Sequence, residues 1–289
     1  MRAAVMRDRA LVVADVRTPE PGAGEVLVRT LVCGICGSDL HALKHADKFV
    51  ENSRRAGNPR VMDLGRDVIM GHEFCAEIVE HGPKTTGALK VGTRVCSRPV
   101  LMRAAGPQSI GYSNDNPGGY GEYMRLSEVL LLEVPNGLST EHAALTEPMA
   151  VGVHAVAKAR LEPDDAPLVI GCGPVGLAVI AALRLRGVRP IVAADFSSRR
   201  RELAIALGAD GDLQPAVVVD GLASVGEDVQ DGLLDGRAVD QDRRQGRELL
   251  VDRDPAPFDR VPDQVHRLVD ERGQIGLREL GWTRAGEVT

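Results

Sequence analysis

The sequence has no long uninterrupted hydrophobic run. No segment approaches the roughly 18 uncharged apolar residues that are needed to cross a bilayer. The start of the chain is interrupted by Arg2, Arg7, Asp8 and Arg9 before the apolar core of a secretory signal could form. We therefore expect a soluble, cytoplasmic protein with no membrane partner.

Cysteine and basic clusters are also scarce. The five cysteines are odd in number and show no spacing typical of a disulfide framework, which favours free thiols or metal ligands in a reducing compartment. No basic stripe is present, so no nucleic-acid partner is expected. With 44% hydrophobic and 26% charged residues, the composition excludes a fibrous or wholly disordered protein. A length of 289 residues fits two domains.

Lysine, methionine and cysteine are missing from residues 211–289. This stretch carries 10 arginines against 17 acids, a net charge of −7, whereas residues 1–210 are almost neutral. The negative net charge of the whole chain therefore comes from residues 211–289.

The pattern along the chain changes once. From Ala3 to about Val134, short apolar runs are broken by glycine and proline, which predicts an irregular β-rich domain. Ser139 or Thr140 can then cap a helix whose apolar positions recur through about Leu161. Residues 167–209 follow as strand, glycine turn, helix, strand and helix, the opening of a doubly wound α/β sheet.

A glycine turn follows the apolar strand that begins at Leu168. Gly171, Gly173 and Gly176 form a G-x-G-x-x-G pattern, completed by Cys172, Pro174 and Val175, and it opens a helix. The first glycine permits the tight turn, the second lets a pyrophosphate approach the backbone, and the third lets helix and strand pack closely. The alternative is a βαβ unit whose glycines serve only packing.

Asp195 ends the second strand, 19 residues after Gly176. A carboxylate there can accept hydrogen bonds from the adenosine ribose and would repel a 2′-phosphate, so NAD is favoured over NADP. Arg199, Arg200 and Arg201 follow closely, and they could accommodate a phosphate. An Asp195 that merely caps the next helix is the alternative.

Cys36 and His72 are candidate metal ligands. A catalytic zinc takes three protein ligands of nitrogen, sulfur or oxygen type and keeps one position open. Glu147 is the candidate third ligand, because it lies where the chain passes into the cofactor domain and where a cleft between domains is expected. Without context, a cysteine and a histidine 36 residues apart are more often structural residues.

These motifs together resemble the zinc-dependent alcohol and polyol dehydrogenase branch of the medium-chain dehydrogenase/reductase superfamily. The resemblance covers residues 1 to about 210 through GEVLV, CGICGSDLH, GHEF, VGTRV, GGYGEYM, EPMAVGVHAV, GCGPVG and ALGAD. It implies a GroES-like, β-rich, zinc-binding catalytic domain over 1–150, followed by a Rossmann NAD-binding domain over 151–289 that is incomplete, because 211–289 cannot be aligned.

The resemblance also implies roles for particular residues. Cys36, His72 and Glu147 match the zinc ligands, and Glu73 matches a water-linked or exchangeable fourth group. Asp39 matches the carboxylate that orients the liganding imidazole. Ser38 and His41 match the hydroxyl and imidazole of a proton relay, although Ser38 could also cap a helix and His41 could be a solvated histidine.

The implied activity is that of an oxidoreductase of class EC 1.1.1.-. It would transfer hydride between a small alcohol or polyol and NAD, with zinc as Lewis acid and the proton leaving through Ser38, the ribose and His41. The alternatives are an impaired remnant that still binds zinc or a partner, and a zinc-free quinone-reductase type, which the ligand set disfavours. Family members are homo-oligomers, an expectation weakened here by the unaligned end.

Two departures from the family pattern are visible. Residues 97–119, which follow Cys96, contain no cysteine, so we expect one catalytic zinc, no structural zinc, and a lobe held by packing and backbone hydrogen bonds alone. Residues from about 211 onward carry no recognisable family sequence beyond a possible strand at 216–220. We hypothesise a shifted reading frame or other non-homologous sequence there, with a genuine divergent tail, as polar as a disordered segment, as the alternative.

Overall fold

The computed structural model describes residues 1–214, together with the backbone of residues 249–250 and 274–275. Two compact units are present, Met1–Glu147 and Pro148–Thr289. Within the described residues, no helix has both the length and the apolar character needed to span a membrane. The expected strand at 216–220 lies outside the described residues, as does nearly all of the charged end.

The first unit is dominated by strands. They are β1 (Arg2–Arg7), β2 (Ala10–Asp15), β3 (Glu25–Cys33), β4 (Phe74–His81), β5 (Arg94–Ser97), β6 (Val100–Arg103), β7 (Gly106–Ser109), β8 (Tyr123–Ser127) and β9 (Leu131–Glu133). Its helices are α1 (Gly37–Lys44), α2 (Ala46–Arg55) and α3 (Thr140–Ala144), with a 3-10 turn over Glu128–Leu130, while α4 (Thr146–Ala159) begins at its end.

A five-stranded antiparallel sheet in the order β8-β3-β4-β5-β9 organises this unit. Side chains at alternate positions of neighbouring strands point into one core, as the period of two in a strand requires. Val28, Ile78 and Met124, from three adjacent strands, are fully buried there. Two hairpins, β1-β2 and β6-β7, complete the strands. The predicted β-rich domain is thereby confirmed.

The pairing of β3 with β4 prepares the functional site. The register carries two irregularities, between Leu27 and Val28 and between Thr30 and Val32, and ends with Cys33 opposite Phe74. The chain leaving β3 and the chain entering β4 therefore run side by side, and Gly34 N donates to Glu73 O at 2.7 Å. Segments almost forty residues apart in sequence meet at this sheet end.

The helix predicted from Ser139 through about Leu161 is divided in the structure. The cap is confirmed, because Ser139 Oγ accepts from His142 N at 3.2 Å. A continuous helix is wrong, since α3 ends at Ala144 and α4 starts at Thr146. Pro148 has no N–H to continue the helical ladder, and it fits the first turn of a new helix.

Residues 98–127 contain a β-hairpin and a strand that were not foreseen, and their anchoring was predicted incorrectly. Backbone hydrogen bonds and packing do not act alone, because side chains also hold this lobe. Arg103 Nε donates to Glu25 Oε1 at 2.7 Å, Arg103 Nη1 donates to Gln108 at 2.9 Å, and Ser127 Oγ accepts from Met102 N at 2.7 Å. An ion pair with a buried carboxylate therefore ties the hairpin to the sheet.

The second unit contains β10 (Leu168–Ile170), α5 (Pro174–Leu185), β11 (Val192–Ala194), α6 (Ser198–Ala206) and β12 (Gly211–Leu213). Its strands pair in parallel in the order β10-β11-β12. Ile180 of α5 and Ile191 before β11 are fully buried in its core. The predicted succession of strand and helix is confirmed. Two short strands, β13 (Leu249–Leu250) and β14 (Gln274–Ile275), pair antiparallel.

Candidate active site

Three potential ligand side chains meet where β3 ends and β4 begins. Donor atoms of Cys36, His72 and Glu73 all lie within 4.8 Å of one another. His72 and Glu73 are each 8% exposed, while Cys36 is partly exposed. A thiolate, an imidazole and a carboxylate are the donor types that zinc prefers. Among the described residues, these three side chains are the ones that lie close enough together to hold a metal ion.

Gly34 makes room for one member of this group. A Cβ atom on Gly34 would overlap the Oε2 atom of Glu73 and would lie 3.2 Å from its Cβ. Any larger residue at position 34 would therefore displace the Glu73 side chain. The glycine of the CGICGSDLH segment thus has a packing reason that can be seen in the structure.

His72 points one ring nitrogen at a carboxylate. Its Nδ1 atom lies 3.4 Å from Asp39 Oδ1, an ion-pair distance, and has no hydrogen-bond partner among the described residues. Burial alone would lower the pKa of His72, but Asp39 and Cys36 outweigh burial and raise the pKa to about 10. The imidazole therefore lies among groups that favour positive charge. The same groups would favour a metal cation bound to it.

Asp39 lies at the centre of the site and is 2% exposed. Its Oδ1 accepts from the hydroxyl of Tyr112 at 2.9 Å, and its Oδ2 accepts from the hydroxyl of Tyr120 at 2.9 Å and from Cys36 N at 3.1 Å. Burial raises the pKa of Asp39, but His72 and the two phenols outweigh burial and lower the pKa. The carboxylate is thus held ionised beside the imidazole.

Tyr112 and Tyr120 were missed by sequence reasoning. Burial, supported by the charge of Asp39, raises the pKa of both phenols, so both remain protonated donors. The ring of Tyr112 also lies near that of His72, with centroids 5.4 Å apart and the planes tilted by 44°. The chain has only three tyrosines, all within residues 112–123, and that clustering was the available signal.

Glu147 lies outside the group of Cys36, His72 and Glu73 that the structure brings together. It lies in the first turn of α4, and the charges of the site affect its pKa. Burial raises its pKa, the negative charges of Glu73 and Asp39 act in the same direction, and His72 opposes them. Its side chain is therefore close enough to interact with the cluster through charge.

Ser38 and His41 occupy α1, but in different settings. Ser38 Oγ is hydrogen-bonded to the hydroxyl of Tyr112 at 2.8 Å. The alternative of Ser38 as the helix cap is wrong, because Cys36 is the N-cap and Asp39 closes the capping box. The ring of His41 lies 6.0 Å from that of His45. Within the described residues, no hydrogen bond joins Ser38 to His41.

The glycine turn between β10 and α5 has the geometry of a phosphate cradle. Gly171 has a φ of +87°, which favours glycine, and a Cβ on Gly176 would overlap the carbonyl oxygen of Gly171. Within the described residues, a Cβ on Gly173 would meet no heavy atom within 4 Å. Gly173 is the N-cap of α5, Pro174 follows it, and Val175 is 43% exposed. The backbone N–H groups at this helix N-terminus favour negative charge.

Asp195 follows β11 and is 8% exposed. Its carboxylate accepts from Cys172 N and from Ser197 N, each at 2.8 Å, and Arg200 Nη1 lies 3.6 Å away. Burial raises the pKa of Asp195, but the backbone donors and Arg200 outweigh burial and lower it. Arg201 is engaged with Asp212 at 2.8 Å.

The three arginines after β11 thus differ in availability. Arg199 is exposed, and Arg200 is 57% exposed despite its contact with Asp195. Arg201 is 12% exposed and also donates to the carbonyl oxygen of Asp195 at 2.7 Å. Arg201 therefore stabilises the loop through buried contacts, while Arg199 and Arg200 remain accessible to solvent.

Comparisons with known proteins agree with this geometry. A family model described as "Alcohol dehydrogenase GroES-like domain" matches residues 22–136. The (R,R)-butanediol dehydrogenase of Bacillus subtilis (strain 168) is 36% identical over 207 residues, which cover 68% of this chain and 58% of that protein. The sorbitol dehydrogenase of the same organism is 33% identical over 222 residues, which cover 72% of this chain and 60% of that protein.

A solved structure extends the agreement to the fold. The crystal structure of 2R,3R-butanediol dehydrogenase from Bacillus subtilis has a TM-score of 0.62 and 32% identity, covering 78% of this chain and 66% of that chain. Other related structures hold NADH or NADP. The chain spans only about three fifths of the length of the curated relatives named here. Because these matches extend well beyond the β-rich domain, the chain belongs to the zinc-dependent alcohol and polyol dehydrogenase branch of the medium-chain dehydrogenase/reductase superfamily.

Proposed function

We propose that this protein is a zinc-dependent dehydrogenase that transfers hydride between a small alcohol or polyol and NAD. The observation that carries the proposal is the convergence of Cys36, His72 and Glu73 beside the buried carboxylate of Asp39. Family membership supplies the reaction class, and the chain's own residues supply the site.

The donor set fits one zinc ion. Cys36, His72 and Glu147 would be its ligands, with Glu73 as the exchangeable fourth group. Sulfur, nitrogen and oxygen donors on a partly open site are characteristic of catalytic zinc. Glu73 is already within the cluster, whereas Glu147 acts on it only through charge. Either carboxylate would then be available as the oxygen donor to a zinc ion held by Cys36 and His72.

When bound, zinc would supply Lewis acidity to the alcohol, and the nicotinamide would supply the hydride acceptor. The chain's own residues orient the metal ligand and move protons. Asp39 orients the imidazole of His72 and increases its basicity as a ligand. Ser38 accepts the hydroxyl proton of the substrate while its own hydrogen moves to a neighbouring acceptor, and His41, on the same helix, exchanges protons with solvent.

NAD is proposed as the cofactor in preference to NADP. Gly173 leaves space for a pyrophosphate at the start of α5, where backbone N–H groups and the helix dipole favour negative charge. Asp195 presents its carboxylate at the end of β11, where a 2′-phosphate would be repelled. Arg200 Nη1 lies 3.6 Å from that carboxylate and reduces the repulsion.

The substrate class is proposed from the relatives. The two named curated relatives are a butanediol dehydrogenase and a sorbitol dehydrogenase. Both names denote alcohols with neighbouring hydroxyl groups, so we propose a vicinal diol or polyol as the small-molecule partner of this chain.

The purified full chain tests this proposal in three measurements. Zinc content is measured by mass spectrometry, NADH binding by fluorescence titration, and oxidation of 2,3-butanediol and sorbitol by NADH formation. The proposal predicts about one zinc per chain, NADH binding and oxidation of at least one diol. The variant His72→Ala should lose zinc and activity, whereas the exposed His154→Ala should retain both. A wild-type chain without zinc contradicts the proposal.

A second candidate function is an impaired relative that retains zinc without turnover. It is favoured by one observation, namely that the chain spans 58% and 60% of the two named curated relatives. Zinc binding without NADH binding in the same titrations would support it in place of the first proposal.

A further inference from the structure

Both carboxylate oxygens of Asp39 are held by phenols that come from the same stretch of chain. We propose that Tyr112 and Tyr120 are positioning residues, which fix Asp39 toward His72 and, through Tyr112, turn the hydroxyl of Ser38 so that its oxygen can accept a substrate proton. This inference deepens the proposed function and rests on it.

The hydrogen bonds around Asp39 define its orientation. A carboxylate can only accept, so each tyrosine must donate its single hydroxyl hydrogen. Oδ2 is occupied by Tyr120 at 2.9 Å and by Cys36 N at 3.1 Å. Oδ1 accepts from Tyr112 at 2.9 Å and lies 3.4 Å from His72 Nδ1. With three donors fixed, the carboxylate cannot rotate without breaking a bond, and its Oδ1 edge stays toward the imidazole.

The same bonds determine the direction of the Ser38 hydroxyl. Tyr112 has committed its only hydrogen to Asp39, so it can meet Ser38 only as an acceptor. Ser38 must therefore donate its hydrogen to Tyr112, across 2.8 Å. Both lone pairs of the Ser38 oxygen are then left for other partners. As the Ser38 oxygen accepts the proton of an alcohol, the hydrogen of Ser38 can pass to Tyr112 and that of Tyr112 to Asp39, so that the proton ends on the carboxylate.

The two tyrosines differ in one respect that an experiment can use. Tyr120 contacts Asp39 through its hydroxyl and makes no hydrogen bond to Ser38 among the described residues, whereas Tyr112 contacts both. Tyr123 lies in β8, and its hydroxyl has no hydrogen bond to Asp39 within the described part of the chain. Removing one hydroxyl at a time therefore separates the effect on Asp39 from the effect on Ser38.

Zinc affinity tests the Asp39 part without requiring turnover. The full chain is stripped of metal and titrated with zinc against a chromophoric chelator. Tyr112→Phe and Tyr120→Phe should each weaken zinc binding about tenfold, the lower end of the effect expected for groups that support a metal ligand. Tyr123→Phe should bind as the wild type does. Thermal unfolding of the metal-free proteins shows whether folding is affected.

Double variants show whether the tyrosines act through Asp39. In an Asp39→Asn background, Tyr112→Phe and Tyr120→Phe should cause no further tenfold loss, because the group they position has changed. Unchanged zinc affinity in both single variants, or losses that multiply with Asp39→Asn, would overturn the inference. A wild-type chain that binds no zinc would overturn the proposed function instead, and the inference with it.

Turnover at saturating zinc tests the Ser38 part. Tyr112→Phe should lower kcat about tenfold with a smaller change in KM. Ser38→Ala should add little in the Tyr112→Phe background, whereas its effect should multiply with that of Tyr120→Phe. Multiplying effects of Ser38→Ala and Tyr112→Phe would show that Tyr112 does not act through Ser38, and would overturn this role.

Discussion

Replacing Glu25 by glutamine removes a buried negative charge on which two arginines converge. The Glu25 side chain is 3% exposed, and its carboxylate accepts from Arg103 Nε at 2.7 Å and from Gly22 N at 3.0 Å. Arg125 Nη1 lies 3.8 Å away. This arrangement joins the hairpin of β6 and β7 to the sheet. The hairpin lies within residues 97–119, which offer no cysteines for a structural metal.

The expected loss follows from these contacts. Breaking a buried ion pair costs about 3–5 kcal/mol when the remaining charge stays buried. Arg103 and Arg125 are 28% and 17% exposed, so water can partly solvate them, and glutamine keeps one acceptor for Gly22 N. We therefore expect Glu25→Gln to lower the free energy of unfolding by about 2 kcal/mol, the range of a hydrogen bond to a charged group.

Urea unfolding monitored by tyrosine fluorescence measures this loss, because all three tyrosines lie in the first unit. Glu20→Gln is the matched control. Glu20 pairs with Arg17, but the two side chains are 78% and 84% exposed, so the control should change stability by less than about 0.5 kcal/mol. Equal losses in the two variants, or no loss in Glu25→Gln, would refute the reasoning.

Three further predictions concern the core, the cofactor turn and pH. Ile78→Ala should cost about 2–5 kcal/mol in urea unfolding, whereas the 80% exposed Val129→Ala should cost almost nothing. Gly173→Ala should leave thermal stability unchanged but weaken NADH binding at least tenfold, while Gly176→Ala should destabilise the second unit, since its Cβ would overlap backbone. An equal melting shift in both would contradict this. For pH, burial raises the pKa of Glu25, but Arg103, Gly22 and Arg125 outweigh it and lower the pKa. The stabilisation by Glu25 is therefore complete above about pH 4.5 and lost as pH falls through its lower folded pKa, so the wild type should lose more stability than Glu25→Gln over that range.

Features set by short segments could be predicted from the sequence. The glycine turn was one, because two of its glycines, Gly171 and Gly176, meet local backbone requirements. The cap at Ser139 was another. α2 could not be predicted in this way, because its sequence, ADKFVENSRR, is strongly polar and buries only Ala46 and Val50.

Features that depend on distant pairing were beyond local reasoning. Cys36 and His72 come together only because β3 pairs with β4 out to Cys33 and Phe74, and the family resemblance, not their spacing, suggested that they meet. Tyr112 and Tyr120 reach Asp39 from 73 and 81 residues away. The ion pair of Arg103 with Glu25 spans 78 residues, which explains why the anchoring of the lobe was predicted incorrectly.

Zinc content of the purified chain, compared with that of two ligand variants and one control variant, tests the central claim most directly. The account predicts about one zinc per wild-type chain and nearly none in Cys36→Ala or His72→Ala, with metal retained in Cys172→Ala, whose thiol lies in the second unit. Equal zinc in the wild type and in Cys36→Ala and His72→Ala, or no zinc in the wild type, would contradict it.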